Sequence, residues 1–562
     1  MNKGNRALNT GEGFRFLVLG MILLSLLINP VHPGRVCAEE AVAGEKDQAV
    51  RFDINEIQVQ GNTLMPEESV KQITASFTGK GKTSDDVEKL RVTLEKAYRE
   101  TGYPTVQVNI PEQNVEGGVI VFDVVEARIG QVQVNGNRYF TMEKILGDLP
   151  VFAPGEILYL PRAQQELNTI NMNPDLKVKP VLMPGQVPGT VDVELVVTDK
   201  MPLHGSLELN NRASANTSAL RVNGVIHYDN LWQKEHSLSV QFQTSPEDMD
   251  EVKALSLSYM IHAPWNANHL LALYSVFSDS ETAFGEGFKV NGEGYIAGVR
   301  YVIPLPGSSR YGHNVTLGVD YKKFKDSLYF GDAEDKEEED KVDITPVGYS
   351  PLSFAYQGSV MNKDSRTTVN AGLNMVLRGT AMDVEEYENK RYKARGNYIA
   401  FKTGVEHATA LPGEFGLNLK IDAQITDQPL ISNEQVSAGG MESVRGYRES
   451  EVSGDNTVCS SLEIAFPELF TWLGKRSGGT DGSKAQRYKF RPYVFYDMAY
   501  LRLKDPLPGE DQPGMIQGTG VGFRGYVTRY FNYGLDWGMA LNRTDGTDAG
   551  DGRVYFRGKW AF

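Results

Sequence analysis

Apolar positions recur with two different periods along this chain, and the change from one to the other falls near Lys200. Before it, helical spacing of three and four alternates with strand spacing of two; after it, nearly every segment reads as strand and turn. Ile57-Gln58-Val59-Gln60-Gly61-Asn62 is a short alternating strand ending in a Gly-Asn turn, and Val132-Gln133-Val134-Asn135-Gly136-Asn137 repeats it. After the first copy, Pro66 to Ala75 predicts a short helix. Thr83-Ser84-Asp85-Asp86 starts a longer one, with acidic side chains at its positive end. Its buried stripe is Val87, Leu90, Leu94, Ala97 and Tyr98, and Gly102 stops it. Thr105–Ile110 then reads as a strand, and the β-branched run Val119–Val125 suits a central one. The second copy repeats the order as Met142–Leu149, Arg162–Asn171, Leu176–Leu182 and Val191–Val197.

Beyond Lys200 the alternation is cleaner. Leu238, Val240 and Phe242 interleave with Ser239, Gln241 and Gln243; Val315, Leu317, Val319 and Tyr321 interleave with Thr316, Gly318 and Asp320. The chain closes on Val554, Phe556, Gly558, Trp560 and Phe562 along one strand face, with Arg553, Tyr555, Arg557, Lys559 and Ala561 on the other. An apolar, aromatic face ending in an aromatic carboxy terminus suits the closing strand of an outer-membrane β-barrel. Spanning strands of about 10 residues, with turns and loops, come to roughly 22 residues each, so residues 200–562 predict an antiparallel barrel of about 16 strands.

The other terminus agrees. Lys3, Arg6 and Arg15 precede an apolar run from Phe16 to Ile28, and Val36-Cys37-Ala38 offers small residues for cleavage. That run is too short to span a bilayer, so residues 1–38 predict a cleaved secretory signal and 39–51 a short acidic linker. Cleavage after Ala38 leaves Cys459 as the lone cysteine, which excludes an intramolecular disulfide. No later run is long enough for a transmembrane helix, so membrane entry falls to strands. The net charge of -15 argues against nucleic acid as a partner.

Strand, two helices, strand, strand, twice over, resembles tandem POTRA (polypeptide-transport-associated) domains, here spanning 52–127 and 128–199. Tyr98-Arg99-Glu100-Thr101-Gly102-Tyr103-Pro104 and Asn173-Pro174-Asp175 look like signatures of that family. The resemblance implies that the second strand of each unit is a sheet edge able to accept an extended peptide. Those edges contain Thr105, Val106, Val108 and Ile110 in one unit and Leu176, Val178 and Val181 in the other.

The barrel rhythm breaks between Asp427 and Cys459, a long connection holding Gly439-Gly440 and then Val444-Arg445-Gly446-Tyr447. Val-Arg-Gly-Tyr resembles the sixth-loop motif of the POTRA-plus-barrel transporters and assembly factors. The resemblance implies that residues 428–458 fold back into the barrel and that Arg445 pairs with Asp497 on its wall. Asp497 sits in Phe495-Tyr496-Asp497-Met498-Ala499, a Phe-x-Asp-x-Gly pattern with Ala at its last place. Such a pair fixes a conformation; it is not a catalytic arrangement.

Two POTRA units before a barrel of this size resemble the two-partner secretion transporters, the hemolysin secretion/activation family; Asn230-Leu231-Trp232 and Gln428-Pro429-Leu430 fit that branch. This implies an α+β periplasmic part followed by a transmembrane antiparallel β-barrel in the Gram-negative outer membrane, with no enzymatic activity and no cofactor. Its partner would be a secreted exoprotein with an N-terminal secretion domain, captured unfolded and exported without nucleotide hydrolysis. Outer-membrane lipids and the barrel-assembly machinery would serve its own insertion, with Phe556, Trp560 and Phe562 as the signal, and it would act as a monomer. Family members commonly carry a plug helix; residues 39–51 are too few for one, so the long loop would occlude the pore alone. A membrane-protein insertase is the alternative, and a passive porin would leave the POTRA units unexplained.

Several apparent chemical motifs have plainer readings. Gly520-Val521-Gly522-Phe523-Arg524-Gly525 matches G-x-G-x-x-G but lacks a βαβ context, so its glycines ease curvature or leave room inside the barrel. Asp545, Asp548 and Asp551 fall where the last hairpin turns, without the glutamate a calcium loop needs. Asp332 to Asp340 reads as a solvated loop. Eight histidines, none clustered in sequence, predict no metal site.

Overall fold

The computed structural model describes residues 51–562 apart from 214–216, 250–251, 279–292, 326, 330–340, 345, 382–383 and 470–488. The signal, the linker up to residue 50 and the acidic run 332–340 therefore lie outside the described residues.

The first unit comprises β1 (Phe52–Ile54), β2 (Glu56–Gln60), α1 (Glu67–Ala75), β3 (Gly79–Lys82), α2 (Ser84–Glu100), β4 (Val106–Asn109) and β5 (Val119–Glu126). Its sheet runs β2-β5-β4, with β5 central, parallel to β2 and antiparallel to β4. The α2 stripe packs on it: Leu90, Leu94 and Tyr98 are buried with Val108, Ile120 and Phe122. The β1–β3 pair escapes sequence reading because Gly-Lys-Gly-Lys has no apolar alternation. The second unit repeats the plan with β6 (Arg128–Asn135), α3 (Met142–Asp148), α4 (Leu160–Ile170), β7 (Leu176–Pro184) and β8 (Thr190–Asp199) in sheet order β6-β8-β7. One detail explains the repeated Gly-Asn turn. Gly61 and Gly136 both have positive φ, and a Cβ on either would lie 2.3 Å from a strand carbonyl, that of Val124 or Val197.

From β9 (Leu203–Asn210) and β10 (Arg221–Leu231) to the last strand, Gly552–Ala561, sixteen antiparallel strands close into a barrel. Leu207, Leu317, Val319, Leu535, Trp537 and Trp560 are exposed on its outer wall, while Gln243, Asp320 and Asp536 are buried on the inner one. Apolar outside and polar inside is the inverse of a soluble barrel and is what a lipid surround demands. The last strand closes on β9, from Arg557↔Asn210 to Ala561↔Ser206. The Phe562 amide then donates to Gly205 O at 3.0 Å, and its ring lies over Gly205.

The second unit meets the barrel at the turn between β10 and the strand His236–Thr244. The Gln233 amide group accepts from Thr141 N and donates to Tyr139 O, both at 3.0 Å, and Lys144 reaches Glu235 at 3.5 Å. Trp232, Gln233 and Glu235 all take positive φ to make this turn.

Candidate functional site: a loop latched inside the barrel

Between the strands Gly416–Thr426 and Asn456–Ala465 the chain turns inward. Short segments Val436–Ala438 and Val452–Gly454 pair antiparallel, so the loop is a hairpin with Val444-Arg445-Gly446-Tyr447 near its tip. Backbone closure at the tip uses Gly439 and Gly440, both at positive φ, with Gly440 N donating to Val444 O at 3.1 Å.

The tip rests on a wall stripped of side chains. A Cβ on Gly518 would stand 1.8 Å from Arg445 O, and one on Gly538 would stand 2.7 Å from Gly446 N. Gly520 makes room for the Phe495 ring and Gly522 for the Tyr493 ring and Asp536. The glycine-rich strand therefore leaves room inside the barrel, and what fills that room is the loop and the residues that hold it. Tyr447 is fully buried; its hydroxyl lies 2.9 Å from Gln517 O and accepts from Asn542 N at 3.0 Å. Tyr555, inward-facing on the last strand, accepts from Gly446 N at 2.9 Å and donates to Tyr447 O at 2.5 Å.

Arg445 points across this seat into the wall. Its Nε and Nη2 donate to the two Asp497 oxygens at 2.7 and 2.9 Å, and its own backbone amide adds a third bond to Asp497 at 3.1 Å. Nη1 reaches Glu463 at 2.9 Å and Asp536 at 3.3 Å. The guanidinium carbon sits 3.4 Å above the Phe495 ring centroid, a cation–π contact in a largely desolvated place. Arg524 shares Glu463 at 2.5 Å and covers Tyr493, whose hydroxyl donates to Asp536. Two guanidiniums thus divide three carboxylates. Planar forks suit this sharing, and a lysine could not reproduce it. The resemblance to the loop motif points to Asp497 alone. Glu463, Asp536 and Arg524 had a weak signal, since each is a charge on the inward parity of its strand.

A second attachment holds the neck of the loop. After α5 (Val384–Lys390), Arg391 donates to both oxygens of Asp455, at 2.5 and 2.7 Å, and to the carbonyl of Leu430. Asp455 also accepts from Leu430 N at 3.0 Å and Lys504 N at 2.7 Å. Both ends of the hairpin are thereby tied to one guanidinium. Between neck and tip, Glu434 accepts from Lys322 at 2.5 Å and Tyr349 at 2.7 Å.

The sheet edges depart from a simple open template. β4 and β7 are both edge strands, β4 shorter than the predicted Thr105–Ile110 and β7 longer, reaching Pro184. Val106, Val108, Leu176 and Val178 face the cores, while Ile110 and Val181 are exposed. Edge backbone is partly taken already: Val108 N donates to Glu95 at 3.2 Å, and Val178 exchanges bonds of 2.7 and 3.0 Å with the Asn171 side chain. Pro180 and Pro184 share the edge-facing parity of Val178 and carry no N–H. On β7 the exposed side chains Val181, Leu182 and Met183 are thus the larger resource.

Comparison with known proteins matches this architecture. The model of the haemolysin secretion/activation protein family ShlB/FhaC/HecB covers residues 189–525, and that of the ShlB-type POTRA domain covers 52–127. The outer membrane transporter CdiB of Dickeya dadantii is 23% identical over 444 residues, 72% of this chain and 70% of that protein. Among solved structures, CdiB from Escherichia coli superposes with a TM-score of 0.56 at 18% identity, covering 93% of each chain. BamA from Haemophilus ducreyi lacking POTRA domains 1-3 gives 0.55 at 14% identity, covering 91% of this chain and 100% of that one, a likeness of fold. With its POTRA part, sixteen-stranded barrel and lumen-seated loop, the chain belongs to the haemolysin secretion/activation family, two-partner secretion transporters of the outer membrane whose POTRA domains lie in the periplasm.

Proposed function

We propose that this transporter captures one unfolded exoprotein at β4 and β7 and passes it through the barrel when the tip of the lumen loop leaves its glycine seat. The observation that carries the reading is the latch: Arg445 is buried on Asp497, Glu463 and Asp536 in a lumen that an exported chain has to use. At β4 the cargo adds to the sheet through backbone pairing, displacing Glu95. At β7, Val181 and Met183 offer apolar contact to any extended chain, which reads little sequence and suits unfolded cargo. Folding of the cargo outside supplies the drive, without nucleotide. Phe556, Trp560 and Phe562 direct insertion by the barrel-assembly machinery, and one chain forms one pore.

Deleting the gene and quantifying secreted and outer-membrane proteins by mass spectrometry tests this. Loss of one large exoprotein with other barrels unchanged is expected. A broad fall in outer-membrane barrels would instead favour an insertase, a reading with which the BamA-like fold is compatible. Charging the β7 face with Val181→Asp and Met183→Asp should cut export of that exoprotein at least tenfold while the barrel still assembles.

A further inference from the structure

Histidines scattered in sequence meet at the joint between the second unit and the barrel. β9 and β10 pair so that His204 and His227 stand directly opposite, with ring centroids 5.1 Å apart. Spacing along the chain does not reveal this meeting, which strand register produces. Asp175 approaches from the second unit, one residue before β7, and its Oδ2 lies 2.7 Å from His204 Nε2. Asp229 completes the group from β10. Ligand atoms of Asp175, His204 and Asp229 all lie within 4.8 Å of one another.

We infer that Asp175, His204 and Asp229 form a binding site for a divalent cation of the zinc class, bridging the periplasmic part to the barrel. A tetrahedral zinc with bonds of about 2.0–2.2 Å needs donor atoms roughly 3.3 Å apart, a spacing that small side-chain rotations here would supply. Two carboxylates and an imidazole gathered at one point are oxygen and nitrogen donors of the kind a divalent cation of this class takes. Asp175 is the most enclosed of the three, 4% exposed, so its charge gains most from such a partner.

The surroundings are those of a supported site. His227 Nδ1 lies 2.8 Å from Asp229 Oδ2, and Ser237 donates to Asp229 Oδ1 at 2.6 Å, holding that carboxylate in place. The cation would fix the root of β7 against the barrel wall. Its binding stands apart from the export reading; only its consequence for cargo rests on that reading.

The test is calorimetric titration of zinc into the full-length, chelator-stripped protein in detergent. One saturable zinc per chain is expected, with affinity at least tenfold weaker in Asp229→Asn and in His204→Ala, and unchanged in His313→Ala. Heat-modifiable migration on gels checks that each barrel is folded. X-ray absorption on the wild-type zinc complex adds a readout free of mutation, with imidazole scattering in a shell of nitrogen and oxygen donors expected. Absence of stoichiometric uptake, equal affinity in folded His204→Ala, or a spectrum without imidazole would overturn the site and leave a plain His–Asp hydrogen bond. Because export is not the readout, its failure and that of the cation site are told apart.

Discussion

Arg391 holds Asp455 by two hydrogen bonds, 2.5 and 2.7 Å, at the neck of the lumen loop, and the Asp455 side chain is completely buried. Removing one member of a buried pair strands the other, at a cost of about 3–5 kcal/mol. Arg391→Ala should therefore loosen the neck more than the double change Arg391→Ala with Asp455→Asn. Planar-bilayer recordings should show more frequent open events for the single variant. Wild-type gating in both variants would mean that the pair does not hold the loop.

Arg445→Ala leaves Asp497 buried beside Glu463 and Asp536 with Arg524 as the remaining guanidinium of the cluster. Arg445→Lys restores charge but one point of contact in place of a fork. Both should release the tip and raise channel conductance at least threefold, with Lys closer to Ala than to the wild type. Planar-bilayer conductance checks this; wild-type conductance in the Lys variant would show that charge alone suffices.

Gly518→Ala places a methyl where the Arg445 carbonyl lies, and a backbone atom cannot swing aside as a flexible side chain would. Gly534→Ala, on the neighbouring strand, meets nothing within 4 Å. The first should dislodge the tip and raise entry of large antibiotics; the second should be silent. Growth on vancomycin, with barrel folding checked by heat-modifiability, separates them.

The carboxyl of Asp86 is held below the usual carboxylate range, first by the Thr83 backbone N–H at 3.0 Å and then by the Thr83 hydroxyl. A depressed folded-state pKa adds stability above the unfolded value of about 3.9, lost as pH falls through the folded one. Hydrogen exchange along α2 should thus be faster in Asp86→Asn than in the wild type at pH 7. The difference should close as pH falls through the depressed folded-state pKa, where the carboxyl is protonated in both states. A pH-independent gap would assign the effect to something other than this cap.

Local pattern made much of this molecule readable. The α2 stripe, the central β5 and the alternation of the last strand are one-dimensional signals, and the structure keeps each. Arg445 and Asp497 could be matched only because each lies in a recognisable local motif. Glu463, Asp536, Arg524 and Arg391 lie in no such motif, and their meeting depends on barrel closure and on which strands neighbour the loop. His204 and His227 make the same point, since a pair 23 positions apart becomes adjacent only once register is known. The β1–β3 ribbon was invisible for the opposite reason, having too little apolar content to show a period.

Leu430 and Asp455 are both fastened to Arg391, so the two feet of the lumen hairpin stand at a fixed separation whatever its tip does. A tip freed from the glycine seat would swing about those feet as a tethered arm and would not pay out as slack chain. A polypeptide crossing the barrel would then share the bore with that arm, and the bore it meets would be narrower than the ring of sixteen strands suggests.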